Sequence, residues 1–192
     1  MTTLTAAPST TKTAWNIDPA HSVVEFSVRH MMVSNVKGRF GGVSGTIETT
    51  DENIADAQVD VEIDVASVDT RAEQRDAHLK SPDFFDVEKF PKITFKSTRI
   101  NDNGDGTFEL VGDLTIRDVT KAVTLHATDN GRGNTPFGTY IAGFSATTQF
   151  NRNEFGVSFN MALETGGFVV GDTVKVSLEI EAAKAQAEAA TA

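Results

Sequence analysis

A strict alternation of apolar and charged residues is the feature that most constrains how this chain can fold. It is clearest at 59–65, which reads Val-Asp-Val-Glu-Ile-Asp-Val. Successive side chains of a β-strand point to opposite faces, so this run predicts a strand with one apolar and one charged face. The same period recurs along the chain and predicts eight strands, at 15–30, 38–49, 55–66, 91–101, 106–117, 121–130, 138–150 and 172–182.

The segments between these strands are short and rich in turn residues. Asn101–Gly106 predicts a hairpin, and 130–133 and 166–167 predict further turns. One segment breaks the period: Thr70 and Glu73 have the spacing of a capping box, which predicts a short helix over 71–80 and a second helical turn after Pro82. Short connections favour antiparallel neighbours, so the strands form either a sandwich or a closed barrel. An eight-stranded barrel is either filled by its own side chains or holds one small ligand.

Composition excludes several classes of protein. The 192 residues suit one domain, which we place at 14–184 between flexible tails at 1–13 and 185–192. The absence of cysteine excludes disulfides and thiolate metal sites, and a net charge of −10 argues against nucleic acid as a partner. No apolar run approaches the length of a membrane span, so we expect no transmembrane segment. The first residues lack the basic start and apolar stretch of a secretory signal, and we therefore expect a cytoplasmic protein. We also expect no cofactor.

The aromatic content is unusual, with 13 Phe against one Trp and one Tyr. Phe has no polar group to pair. The excess therefore predicts an apolar interior that needs few hydrogen bonds.

Short segments of the sequence resemble motifs of the YceI-like family of lipid-binding barrels. They occur in the family's order and are WNIDPAHSVVEFSVRH (15–30), GRF (38–40), VASVDT (65–70), RDAHL (75–79), SPDFFD (81–86), FPKITF (90–95), GDLTIRDVT (112–120), NRNEFG (151–156) and VGDTVKVSLEI (170–180). The resemblance spans nearly the whole domain. It implies an all-β, eight-stranded, antiparallel, lipocalin-like barrel with one or two short helices, forming a homodimer. The implied ligand is a long apolar lipid such as a polyisoprenoid, an isoprenoid quinone or a fatty-acid amide. Many relatives carry a periplasmic signal, from which this chain departs.

Assigning the apolar parity to the inside of such a barrel predicts the residues that line a tunnel. They are Phe26, Val28, Phe40, Val61, Ile63, Phe95, Leu114, Phe144, Val176 and Leu178, with Phe84 and Phe85 at its mouth and His30 beside a ligand head group. An isoprenoid tail gains about 0.8 kcal/mol per buried methylene, so about ten methylenes give roughly 8 kcal/mol.

Catalytic alternatives are weaker on the sequence. The four histidines do not predict a shared metal site, because His21 and His30 fall on opposite faces of a regular strand. His78 is expected to face solvent or a partner, and His126 to point outward. No G-x-S-x-G elbow is present.

Three hypotheses follow: a non-catalytic lipid carrier or store, an enzyme that uses His30 on a lipid-like substrate, and a stress-related interaction protein with a filled core.

Overall fold

The computed structural model describes residues 12–51, 53–164 and 166–185. It contains eleven strands: β1 Lys12–Ile17, β2 Val23–His30, β3 Ser34–Phe40, β4 Val43–Thr50, β5 Asn53–Asp64, β6 Val68–Asp69, β7 Lys92–Asp102, β8 Thr107–Ile116, β9 Val119–Asn134, β10 Tyr140–Asn151 and β11 Val170–Lys184. The helix α1 spans Glu73–Lys80, and 3₁₀ turns span Val65–Ser67 and Arg152–Phe155.

The predicted eight-stranded antiparallel barrel is confirmed. Strands β1, β4, β5 and β7 to β11 pair in a ring that closes where β1 meets β11, with Trp15 opposite Lys184. Closure leaves these eight strands without a free sheet edge along the paired part of the wall. The remaining strands continue the sheet from the part of β11 that does not pair with β1. There β2 pairs with β11, β3 pairs with β2, and β6 pairs with β3.

Two predicted strands are each divided in two. The predicted strand 15–30 is interrupted at 18–22, where Pro19 has no N–H for a ladder and Asp18 accepts a hydrogen bond from the Ala20 N–H at 2.8 Å. The predicted strand 38–49 starts earlier and breaks at Gly41 and Gly42. The predicted tails lie outside the described residues except at residues 12, 13 and 185, and the first two of these belong to β1.

The connections are partly as predicted. The hairpin at Asn101–Gly106 is confirmed between β7 and β8. The turn predicted at 130–133 is wrong, because β9 continues through Asn134 and the chain turns at 135–139. Gly131 has a φ of +100° and lies beside a register shift between β9 and β10. The glycines at 130–133 therefore mark a bulge within the strand and not its end.

The helix is present, but its predicted cap is wrong. α1 begins at Glu73, and Ala72 before it makes no side-chain capping bond. The Thr70 hydroxyl instead donates to Asp76 Oδ1 at 2.5 Å, and the Thr70 N–H donates to the same oxygen. Thr70 thus ties the end of β6 to the middle of the helix. This contact holds α1 and the following turns across the lower opening of the barrel.

Candidate ligand-binding cavity

The upper part of the barrel encloses an apolar cavity of about 160 Å³, here called the upper chamber. It lies between the inward faces of β1 to β5 and β7 to β11. Its walls include Ile47, Val59, Phe108, Leu125 and Ala146, and Thr148 is the one polar residue among the described residues that line it. The chamber exists because every second residue of these strands points inward and is apolar.

A second apolar cavity of about 360 Å³, the lower chamber, lies beneath the first. Its walls come from β2, β3, α1, the turns after the helix, the 3₁₀ turn at Arg152–Phe155 and the start of β11. Phe40, Phe150 and Val176 line both chambers, so the two cavities adjoin through these side chains. The volume of the lower chamber alone falls within the usual range for small-molecule sites.

The thirteen residues predicted to contact a ligand all lie on the walls of these chambers. Those on the upper chamber are Phe40, Val61, Ile63, Phe95, Leu114, Phe144, Val176 and Leu178, and those on the lower chamber are Phe26, Val28, His30, Phe84 and Phe85, together with Phe40 and Val176 again. Ligand contact at these positions stays a prediction. The assignment of the apolar parity to the interior agrees with the structure.

The position of Phe26 depends on a glycine across the strand pair. Phe26 in β2 is directly opposite Gly38 in β3. A Cβ at Gly38 would lie 2.4 Å from Phe26 Cζ and 2.7 Å from Thr70 Cγ2. Because only a glycine leaves this space, the tip of the Phe26 ring packs against the backbone of Gly38, on the wall of the lower chamber.

The lower chamber is covered by a cluster of aromatic rings. The His78 ring on α1 packs edge to face against Phe84 and Phe159, with 4.9 Å between ring centroids in each pair. His78 Nε2 is also 2.9 Å from Asp83 Oδ2. The His78 side chain is 44% exposed, in agreement with the expectation that it faces solvent or a partner, and its inner side packs on the two rings of the cover.

The other edge of the lower chamber is organised by a buried arginine. The Arg152 side chain is 5% exposed and donates hydrogen bonds to the carbonyls of Val157, Phe159, Val170 and Gly171, at 2.6 to 3.3 Å. Burial lowers the pKa of Arg152, and Asp172 at 3.8 Å opposes that shift. Because the guanidinium donates its hydrogen bonds to backbone carbonyls, its role in this structure is to shape the loop at 157–171.

His30 lies on the lower chamber without a catalytic arrangement around it. Among the described residues, none makes a hydrogen bond or an ion pair with the His30 ring. A general acid or base is normally oriented by a second polar group. The geometry therefore offers His30 as a polar contact for a ligand.

One cluster within the described residues has metal-binding groups, and it lies away from the chambers. His21 Nδ1 is 2.8 Å from Asp18 Oδ2 and 3.7 Å from Glu181 Oε1. A hydrogen bond and the charge of Asp18 raise the pKa of His21, and the same hydrogen bond lowers the pKa of Asp18. This ion pair fixes the break between β1 and β2 against β11.

Comparison with known proteins agrees with this architecture. The model of the YceI-like domain family matches residues 15–182. The chain belongs to the YceI-like family. A UPF0312 protein of Staphylococcus aureus is 38% identical over 170 residues, which cover 88% of this chain and 96% of that relative.

Two solved structures have a fold similar to that of this chain. The YceI protein of Campylobacter jejuni has a TM-score of 0.68 and 30% identity, over 82% of this chain and 90% of its own. A polyisoprenoid binding domain from Saccharophagus degradans has a TM-score of 0.66 and 14% identity, over 89% of this chain and 98% of its own. At that identity the second structure shows the fold alone.

Some residues that shape the lower chamber were not predicted from the sequence. Arg152 lies in the polar segment Asn-Arg-Asn-Glu, and its burial depends on carbonyls up to 19 residues away. Phe150 and Phe155 pack edge to face at 5.1 Å between centroids, and both line the lower chamber. The inward parity of β10 was a signal that could have identified Phe150.

In the described ranges, no helix has the length and apolar character needed to cross a membrane.

Proposed function

We propose that this YceI-like protein binds, stores or carries a long apolar lipid, of the polyisoprenoid or isoprenoid quinone class, without catalysing a reaction. The observation that carries the proposal is a pair of adjoining chambers walled almost wholly by apolar side chains inside a closed barrel. The polyisoprenoid binding domain of Saccharophagus degradans, which shares the fold, supports the choice of ligand class.

The shape of the site suits a chain-like ligand with one polar end. The upper chamber offers apolar walls to a tail, and each methylene buried there contributes about 0.8 kcal/mol. The lower chamber is lined by polar groups at its edge, including His30, Thr70 and Arg75. We therefore place the head group of the ligand in the lower chamber, next to these residues.

The alternative of an enzyme that uses His30 has less support, because the His30 ring has no polar partner among the described residues. Loss of any observed turnover in His30→Ala would favour the enzyme. The homodimer and the cytoplasmic location stay predictions, which light scattering and cell fractionation test.

The direct experiment is organic extraction of the purified protein followed by mass spectrometry, together with titration of an added polyprenol. We expect a bound isoprenoid or micromolar uptake of the polyprenol, since about ten buried methylenes supply roughly 8 kcal/mol before ordering costs. Finding neither would refute the proposal.

A matched pair of variants on β10 locates the binding site. Phe144→Asp places a carboxylate on the wall of the upper chamber and is expected to abolish uptake, because a charge in an apolar cavity is strongly unfavourable. Thr147→Asp, on the outer face of the same strand, is expected to bind as the parent does. Uptake by a folded Phe144→Asp protein would place the ligand elsewhere.

A further inference from the structure

The turn between β2 and β3 exposes three consecutive apolar residues. Met31, Met32 and Val33 are 41%, 51% and 78% exposed. The loop before β11 contributes Met161 and Phe168, which are also more than half exposed. These five residues are called the apolar rim.

The five residues of the apolar rim form a continuous surface. The Met31 N–H donates to the Val169 carbonyl at 2.9 Å, and the Val169 N–H donates to the Met161 carbonyl at 3.0 Å. The Met32 side chain lies against Gly167, with its Cγ 3.1 Å from the position of a Cβ on that glycine. Hydrogen bonds and packing thus fix the two loops side by side, as one apolar surface and not as scattered residues.

The backbone of this turn is unfavourable for the residues it carries. The Val33 N–H donates to the His30 carbonyl, and Met31 and Met32 have φ values of +50° and +60°. The three-residue loop 31–33 therefore contains a hydrogen-bonded turn with positive φ at both central positions, which Asn and Gly normally occupy. Two methionines at these positions have a strained backbone, and their apolar side chains are also exposed to water. Among the described residues, no contact of these methionines accounts for both costs, and strain of this kind is characteristic of functional segments.

The apolar rim is continuous with the lower chamber. Met161 lines that chamber, as do Val169, to which Met31 is bonded, and His30, which precedes Met31. Whatever covers the rim therefore lies beside the edge of the lower chamber.

We propose that the apolar rim docks on the surface of a lipid bilayer, by inserting its side chains between uncharged or zwitterionic lipids. The choice of a lipid surface over a protein rests on the proposed function, because a carrier of an apolar lipid must exchange it with a membrane. The net charge of −10 opposes long-range attraction to an anionic membrane. Apolar insertion is therefore the driving interaction, as in interfacial anchors.

The test is flotation of the full chain with phosphatidylcholine vesicles that contain no isoprenoid. We expect the protein to float with the vesicles, to a similar extent at low and high salt. The double variant Met32→Glu, Val33→Glu is expected to bind at least about tenfold more weakly, since it loses apolar insertion and adds two charges. Phe137→Glu is the matched control: Phe137 is 93% exposed but lies in the β9–β10 turn at the opposite end of the barrel. It is expected to float as the parent does, and circular dichroism melting confirms that all variants fold.

Two outcomes would overturn the docking proposal. They are no flotation of the parent protein and equal flotation of the double variant. If the double variant floats equally and also dissociates a dimer, the rim is assigned to a second copy of the chain. Docking and lipid uptake separate cleanly, because a parent protein that floats but takes up no polyprenol refutes the proposed function and leaves the docking surface.

Discussion

Ala146→Leu distinguishes an open upper chamber from a core that is simply filled. Ala146 in β10 is opposite Leu178 in β11 and Ala127 in β9, and its methyl group lines the upper chamber. The substitution adds three carbons to a cavity of about 160 Å³. If the cavity is open, these carbons replace ligand atoms and leave the protein unstrained.

The magnitude follows from the displaced ligand. Three methylenes at about 0.8 kcal/mol each give about 2.4 kcal/mol, which is roughly a fiftyfold loss of affinity for a polyprenol. The free energy of unfolding is expected to stay the same or rise, because the new side chain buries apolar surface in an existing space. In a filled core, the same change forces neighbours apart and destabilises the protein by about 1–3 kcal/mol.

Two measurements on one variant check this reasoning. Urea unfolding gives the change in stability, and fluorescence titration or calorimetry gives the change in affinity. The control is Thr128→Leu, an exposed position on the outer face of β9, for which we expect no change in affinity. Loss of stability by Ala146→Leu with unchanged affinity would refute the chamber and support the filled core.

Two further predictions concern the edges of the barrel. Arg152→Leu leaves buried carbonyls without hydrogen-bond donors, at a cost of about 1–3 kcal/mol each, so urea unfolding should show a loss of stability of at least about 3 kcal/mol. Arg152→Lys lacks the planar guanidinium and should recover less than half of the lost stability. Full recovery would show that the charge alone matters. Because Asp18 raises the pKa of His21, their pair stabilises the fold below pH 6.5, and this contribution is lost as the pH rises through the raised pKa. Proton NMR titration of Asp18→Asn should move the pKa of His21 down toward its ordinary value of 6.5, and an unchanged pKa would contradict the assignment.

The wall of the barrel was predictable from the sequence because its cause is local. Residues such as Val61 and Ile63 alternate with acids, and the parity of one strand decides which side chains point inward. The contacts that close the lower chamber were not predictable in this way. Thr70 bonds to Asp76 in place of capping the helix, and Arg152 is buried by carbonyls from a distant loop. Both depend on tertiary positions that no window of the sequence contains.

The arrangement of the phenylalanines favours a lined cavity over a filled core. Phe26 and Phe40 meet across the adjacent strands β2 and β3, at 5.5 Å between centroids. Phe108 and Phe144 meet edge to face at 6.4 Å, from β8 and β10 on the same side of the ring. These pairs run along the wall of the barrel, and each of the four rings borders one of the two chambers. The Phe excess thus supplies wide apolar walls of low rotamer entropy, and leaves between them the space that Ala146→Leu measures.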